Sequence, residues 1–274
     1  MNDSPKRPST DQRRPTQDEQ LLEGPRQADA DPIFNSDPWL VLRIMGEFVW
    51  GFDNLADVSD GVSIFGSART LPNDPFYIHA TETARLLAEA GIPIITGGGP
   101  GIMEAANRGA EEGGGLSIGC NIELPFEQGS NPYLDRSLNF KFFFVRKTMF
   151  IKYATAFIVF PGGFGTFDEL FEALTLIQTG KIKHFPVILF GHQYWDGLVD
   201  WLTRTVAAER KIGENDLRLF HVTDDPQEVV RIVKSTRETK PELRKREAKG
   251  KDPAVIGEQP TVPDARPAPA RRPE

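Results

Sequence analysis

The stretch Ala156–Glu169, AFIVFPGGFGTFDE, holds residue types that could do chemistry at a spacing that would let them. Gly162, Gly163 and Gly165 let the backbone approach a ligand without side-chain obstruction. The helical pattern that follows (Leu170, Ala173, Leu174, Ile177) leaves unpaired N–H groups and a positive dipole end at the turn. Together these features make a place for a phosphate. Thr166-x-x-Glu169 also has the form of a capping box, in which both side chains would only satisfy helix-end N–H groups.

A second glycine cluster, Gly97-Gly98-Gly99-Pro100-Gly101, leads from the apolar run Ile92–Thr96 into a helix from Ile102 to about Glu112. A third stretch, Gly66-Ser67-Ala68-Arg69, ends the short run Val62–Phe65. Two glycine clusters between strand and helix favour a phosphate cradle over a packing device. Neither completes G-x-G-x-x-G, and no Walker A sequence is present, so a monophosphate fits better than a dinucleotide or a hydrolysed triphosphate.

The elements that must position these loops alternate regularly. Strands are predicted at Val62–Phe65, Ile92–Thr96, Leu116–Leu124, Asn139–Phe144, Ala156–Phe160, Phe185–Phe190 and Leu219–Val222. Helices are predicted at Asp37–Leu55, Tyr77–Ala90, Tyr194–Glu209 and Pro226–Val233, with Arg146 and Lys147 opening another. The rhythm implies an α/β, Rossmann-like doubly wound, mainly parallel sheet with helices on both faces. In such a sheet ligands bind outside the C-terminal ends of the strands, where all three loops fall.

Composition sets the boundaries. Of the 22 prolines, thirteen lie in residues 1–38 or 241–274, and no aromatic residue occurs before Phe34 or after Phe220. Residues 1–35 and 238–274 are therefore expected to be disordered tails, flanking one domain at 36–237. The Asp37–Leu55 helix, with Trp39, Leu40, Leu42, Met45, Phe48 and Val49, precedes the first strand and should pack on the core or on another subunit.

A net charge of −7 argues against a nucleic-acid partner. No apolar run approaches membrane-spanning length and no secretory signal is visible, so a cytoplasmic protein is expected. The single cysteine, Cys120, sits in an alternating strand and reads as a small buried residue. His79, His184, His192 and His221 lack metal-ligand spacing, so neither a metal nor another cofactor is expected.

Gly97–Met103, then Arg146-Lys147, then Pro161–Glu169 together resemble the Lonely Guy family of cytokinin-riboside monophosphate phosphoribohydrolases over roughly Val62 to Trp201. Many of its members carry an older lysine decarboxylase label, for which this sequence offers no pyridoxal-phosphate lysine context. The resemblance implies hydrolysis of the N-glycosidic bond of a purine nucleoside 5′-monophosphate, AMP or an N6-modified form, to free base and ribose 5-phosphate. It implies Arg146 and Glu169 as the catalytic pair. Gly162, Gly163, Gly165 and Thr166 would bind the phosphate, with Phe164 a further substrate contact and Lys147 and Asp168 lining the same pocket. Gly66, Ser67, Gly98, Gly99, Gly101 and Glu127 would complete the substrate contacts, while Met103 would pack beneath its loop. It also implies a homodimer or higher homo-oligomer.

Two departures from the short members stand out: Glu104 follows the methionine of the glycine loop, and Phe143-Phe144-Val145 precede the Arg-Lys pair where a histidine is common. These, with the additional N-terminal helix, fit a longer bacterial branch. The competing expectations are a phosphate-ligand binding module resembling molybdenum-cofactor carriers, which needs the loop but not the Arg146–Glu169 pair, and a nucleic-acid-binding relative, against which the acidic balance counts.

Overall fold

A computed structural model describes residues 16–23, 37–124 and 129–248. Seven strands form one parallel sheet: β1 (Gly61–Phe65), β2 (Ile94–Thr96), β3 (Ser117–Ile122), β4 (Arg136–Phe140), β5 (Ala154–Val159), β6 (Val187–Phe190) and β7 (Phe220–Thr223). Their spatial order is β4-β3-β2-β1-β5-β6-β7, with every neighbouring pair parallel. The central strands β1 and β5 are buried at every position, as their mostly apolar sequences require when both faces are covered, with Ser63 and Thr155 the buried polar exceptions.

Eight helices accompany the strands among the described residues: α1 (Gln17–Glu23), α2 (Asp37–Asn54), α3 (Pro75–Glu89), α4 (Ile102–Glu112), α5 (Phe143–Lys152), α6 (Phe164–Gln178), α7 (His192–Trp201) and α8 (Pro226–Ala248). One face carries α3, α4 and α8 over a core that includes Ala84, Leu87, Ala105, Ala106, Val229 and Val233. The other carries α2, α5, α6 and α7 over Leu40, Met149, Phe150, Leu170, Ala173 and Trp195. The chain therefore winds outward from β1 in one direction and from β5 in the other, which opens a crevice between the C-terminal ends of these two strands.

Several boundaries differ from the sequence reading. The fourth strand lies at Arg136–Phe140, because Phe143 and Phe144 already belong to α5. Arg146 and Lys147 consequently stand in the second turn of that helix rather than at its start. In the N-terminal stretch expected to be structureless, Gln17–Glu23 is helical, and Glu19 accepts from the Thr16 N–H (2.8 Å) while Thr16 Oγ1 accepts from the Glu19 N–H (3.3 Å), a reciprocal cap. At the other end α8 continues to Ala248, past the expected boundary at 237. Long charged helices of this kind show no aromatic or core signature to reveal them. Beyond α7 the predicted helix passes through a π-helical segment, Leu202–Ala207.

Candidate active site

Three loops converge at the crevice and are stitched by their backbones. The Ser67 N–H donates to the Pro161 carbonyl (2.9 Å) and the Ile102 N–H donates to the Ser67 carbonyl (3.0 Å). Gly101, at φ +71°, lies so close to that same carbonyl that a Cβ would collide with it. The result is a cleft of about 710 Å³ whose walls include Gly66, Ser67, Arg69, Gly97, Gly99, Met103, Asn121, Phe143, Arg146, Gly163–Thr166, Asp168 and Glu169. A larger cleft, about 880 Å³, opens at the opposite end of the sheet and holds none of the sequence-predicted site residues.

A buried polar network fixes the glycine loop after β2. Asn107 Oδ1 accepts from Thr96 Oγ1 (2.6 Å) and from Asn131 Nδ2 (2.9 Å), and its own amide nitrogen donates to Ser117 Oγ (2.9 Å). The loop is held from both sides: the Gly98 N–H donates to Thr96 Oγ1 (2.9 Å), and Asn131 donates to the Gly99 carbonyl (3.0 Å). The Asn121 amide sits between the hydroxyls of Ser130 and Ser137 and the carbonyls of Gly97 (2.9 Å) and Gly98 (3.3 Å). With its nitrogen toward the carbonyls it donates to both and its oxygen accepts from both hydroxyls.

Helix α5 delivers Arg146 into this frame. Its Nε donates to the Cys120 carbonyl (2.7 Å), and the guanidinium lies 5.1 Å from the Phe150 ring centroid. A Cβ on Gly97 would collide with Arg146 Nη2, so a glycine is needed at that point for the guanidinium to lie flat against the loop. Burial lowers the Arg146 pKa, while the charge of Glu169 opposes that shift.

Helix α6 delivers Glu169. The helix begins at Phe164 with Gly163 as N-cap, and no side chain caps it. Thr166 and Glu169 therefore fall inside the helix, and the alternative capping-box reading of Thr166-x-x-Glu169 does not hold. Both are buried, and Glu169 Oε2 has no hydrogen-bond partner among the described residues. Burial pushes the Glu169 carboxyl up to about 7; Lys147 and Arg146 pull it down, and Glu172 and Asp168 add to the rise. A buried, unpartnered carboxylate beside an arginine is costly unless something binds there. The uncapped first turn, lined by Gly163, Phe164 and Gly165, offers its N–H groups to the same cleft.

The cleft brings together Gly66, Ser67, Gly99, Arg146, Gly163, Phe164, Gly165, Thr166, Asp168 and Glu169 from the sequence-predicted set. Gly98, Gly101 and Gly162 shape the turns without lining it: a Cβ would strike Asn121, Ser67 and Thr166 respectively. Lys147 is elsewhere. It follows Arg146 by about 100° of helix and pairs with Asp168 (2.9 Å) and Glu172 (2.8 Å) in a neighbouring groove. Burial would lower its pKa, but these two partners outweigh that and raise it. Glu127 lies outside the described residues. Met103 reaches the cleft wall and packs on Gly97, where a Cβ would approach its Sδ to 2.7 Å. The sequence reading missed Asn121, Phe143 and Asn131. Asparagines on a strand (Asn121) and a distant loop (Asn131) give no spacing signal, since their convergence is a property of the fold.

Fold and site together define a Rossmann-like α/β protein with a glycine-lined cleft that faces a half-buried arginine and a buried carboxylate. A family described as possible lysine decarboxylase matches residues 103–233. The chain is 33% identical over 136 residues to a probable cytokinin riboside 5′-monophosphate phosphoribohydrolase of Oryza sativa subsp. japonica, a match covering 48% of this chain and 54% of that one. It is 28% identical over 179 residues to a pyrimidine/purine nucleotide 5′-monophosphate nucleosidase of Escherichia coli, covering 60% and 38%. The chain thus spans about half of the first relative and less of the second. Among solved structures, the structural-genomics target TM1055 superposes with a TM-score of 0.50 at 24% identity, over 64% of this chain and 99% of that one, a likeness of fold. The resemblance to the phosphoribohydrolases carried by the motifs is accordingly also a match of sequence along the chain. The decarboxylase description fits poorly: among the described residues no lysine lines the cleft, so nothing there could form a Schiff base with pyridoxal phosphate.

Proposed function

We propose that this chain hydrolyses the N-glycosidic bond of a purine nucleoside 5′-monophosphate, AMP or an N6-modified relative, releasing free base and ribose 5-phosphate. The observation that carries the reading is Glu169: a buried carboxylate with an unpartnered oxygen, in one cleft with Arg146 and the uncapped start of α6. The names of the curated relatives support the substrate class.

In this reading the phosphate rests on the α6 N-terminus and the Thr166 hydroxyl, with Arg69, a cation on the cleft wall, within the same binding region. Water attacks C1′ of the ribose as the bond to the base nitrogen breaks. The bonding pair leaves with the base, which takes up a proton, and the water gives up one. Positive charge develops on the ribose ring meanwhile, and the Glu169 carboxylate lies where it stabilises that charge or orients the water. Arg146 holds ribose hydroxyls or phosphate with its planar fork, and its charge favours the ionised form of Glu169 against the effect of burial.

Exposed Trp39, Val41, Leu42, Met45 and Val49 on α2 support a homo-oligomer, and a nucleotide substrate supports a cytoplasmic setting. Among the described residues no helix is long and apolar enough to cross a membrane.

The test is base release from AMP and its isopentenyl derivative, with products separated by chromatography, beside Glu169→Ala and Arg146→Ala. Free base from the wild type, lost in both variants, is the expected result. Tight binding of AMP with no base released from either substrate would overturn the hydrolase and leave a nucleotide-binding module.

A further inference from the structure

Helix α5 carries Arg146 but does not cap itself. Its N-cap residue, Phe142, is extended and offers no side-chain hydrogen bond. The N–H groups at this end are met instead by two acids from the N-terminal helices. Glu47 on α2 accepts from the Lys141 N–H (2.6 Å) with one oxygen and from the Phe142 N–H (3.1 Å) with the other. Asp18 on α1 accepts from the Phe143 N–H (3.3 Å). The two helices are linked in turn, since Arg43 Nη1 donates to Gln17 Oε1 (2.6 Å). Trp50, one turn beyond Glu47, packs edge-on against Phe140 at the end of β4, with centroids 5.4 Å apart.

From this clamp the path to the cleft is one helical turn. The Arg146 N–H donates to the Phe142 carbonyl (3.2 Å), and its side chain is pinned to Cys120 at the other end. Two carboxylates at the start of a helix also complement its dipole.

We propose that Glu47, seconded by Asp18, is a positioning residue for Arg146: the added N-terminal helices cap α5 from outside and set how its guanidinium enters the cleft. The α2 helix thereby acquires a role in the site without touching it. The proposal rests on the reading that Arg146 contacts the bound nucleotide.

The experiment is a double-mutant cycle on AMP affinity, measured by calorimetry for the wild type, Glu47→Ala, Arg146→Ala and the double variant, with thermal unfolding alongside. Glu47→Ala is expected to weaken AMP binding about five-fold, the scale of a lost charged cap. Glu47→Gln keeps one acceptor oxygen and should recover part of that loss; it replaces Glu47→Ala in the cycle should the alanine variant not fold. In the Arg146→Ala background the same change should cost nothing further. An equal loss in both backgrounds, or no loss in either, would overturn the proposal while leaving the site reading intact. Wild-type affinity in Arg146→Ala would overturn both.

Discussion

The guanidinium of Arg146 rests directly on the backbone of Gly97, in space that any side chain at 97 would occupy. Its Nε donates to the Cys120 carbonyl at 2.7 Å, so moving the guanidinium off Gly97 strains that bond. The glycine loop and the arginine are therefore a single fitted unit.

Gly97→Ala should separate activity from stability. The added methyl displaces the guanidinium, and a misplacement of about 1 Å costs roughly 100-fold in rate. The overpacking cost is about 1–3 kcal/mol, spread over flexible side-chain ends. Steady-state assays beside urea unfolding will show it. Near-wild-type turnover would mean that Arg146 works from another position.

Glu169→Gln should abolish base release, by roughly 100-fold or more, and should reverse its effect on stability with pH. The native carboxyl holds its proton up to about 7, whereas the unfolded one gives it up near its ordinary 4.5. Between these values the native state binds more protons, so this group makes wild-type stability fall as pH rises through that window. The amide does not titrate, and its advantage at pH 8 over pH 4 reaches up to about 3 kcal/mol. Unfolding curves at the two pH values measure the gap; a gap independent of pH would sink the argument. The wild-type rate should rise as pH passes through about 7, where Glu169 becomes charged.

Lys147→Met should move that pH profile rather than abolish binding. Lys147 bridges Asp168 and Glu172, the neighbours of Glu169 on α6, and is the leading charge that keeps the Glu169 pKa down. Its removal should shift the midpoint of the rate profile toward alkaline pH by roughly one unit. AMP affinity should change little, since Lys147 does not line the cleft. A large loss of affinity with an unmoved profile would return Lys147 to the role of substrate ligand.

Asn107→Ala tests the frame behind the glycine loop. It strips partners from Thr96, Ser117 and Asn131, all buried. Unsatisfied groups of this kind cost about 2–4 kcal/mol together, visible as a lowered urea midpoint with unchanged slope. Activity at a temperature where the variant remains folded should show a raised KM, because the loop loses its anchor.

The sequence by itself determined the local facts of this protein. Unbroken apolar runs such as Ala156–Phe160 required strands covered on both faces, and the glycine clusters marked where strands give way to helices. The Pro161–Glu169 motif with Arg146 named the two side chains on which the proposed chemistry rests. What the tertiary structure alone decided is which neighbours those side chains meet. Thr166-x-x-Glu169 is compatible with a capping box or with a buried acid; only the start of α6 at Phe164, one turn earlier, excludes the first. Arg146 and Lys147 are adjacent in the chain, yet helical rotation sends one into the cleft and the other onto Asp168 and Glu172. Asn107, Asn121 and Asn131 come from a helix, a strand and a loop, and Glu47 reaches residues more than 90 positions away. Such contacts depend on strand order and helix packing, long-range choices of the whole chain that leave no periodicity in any one segment of it.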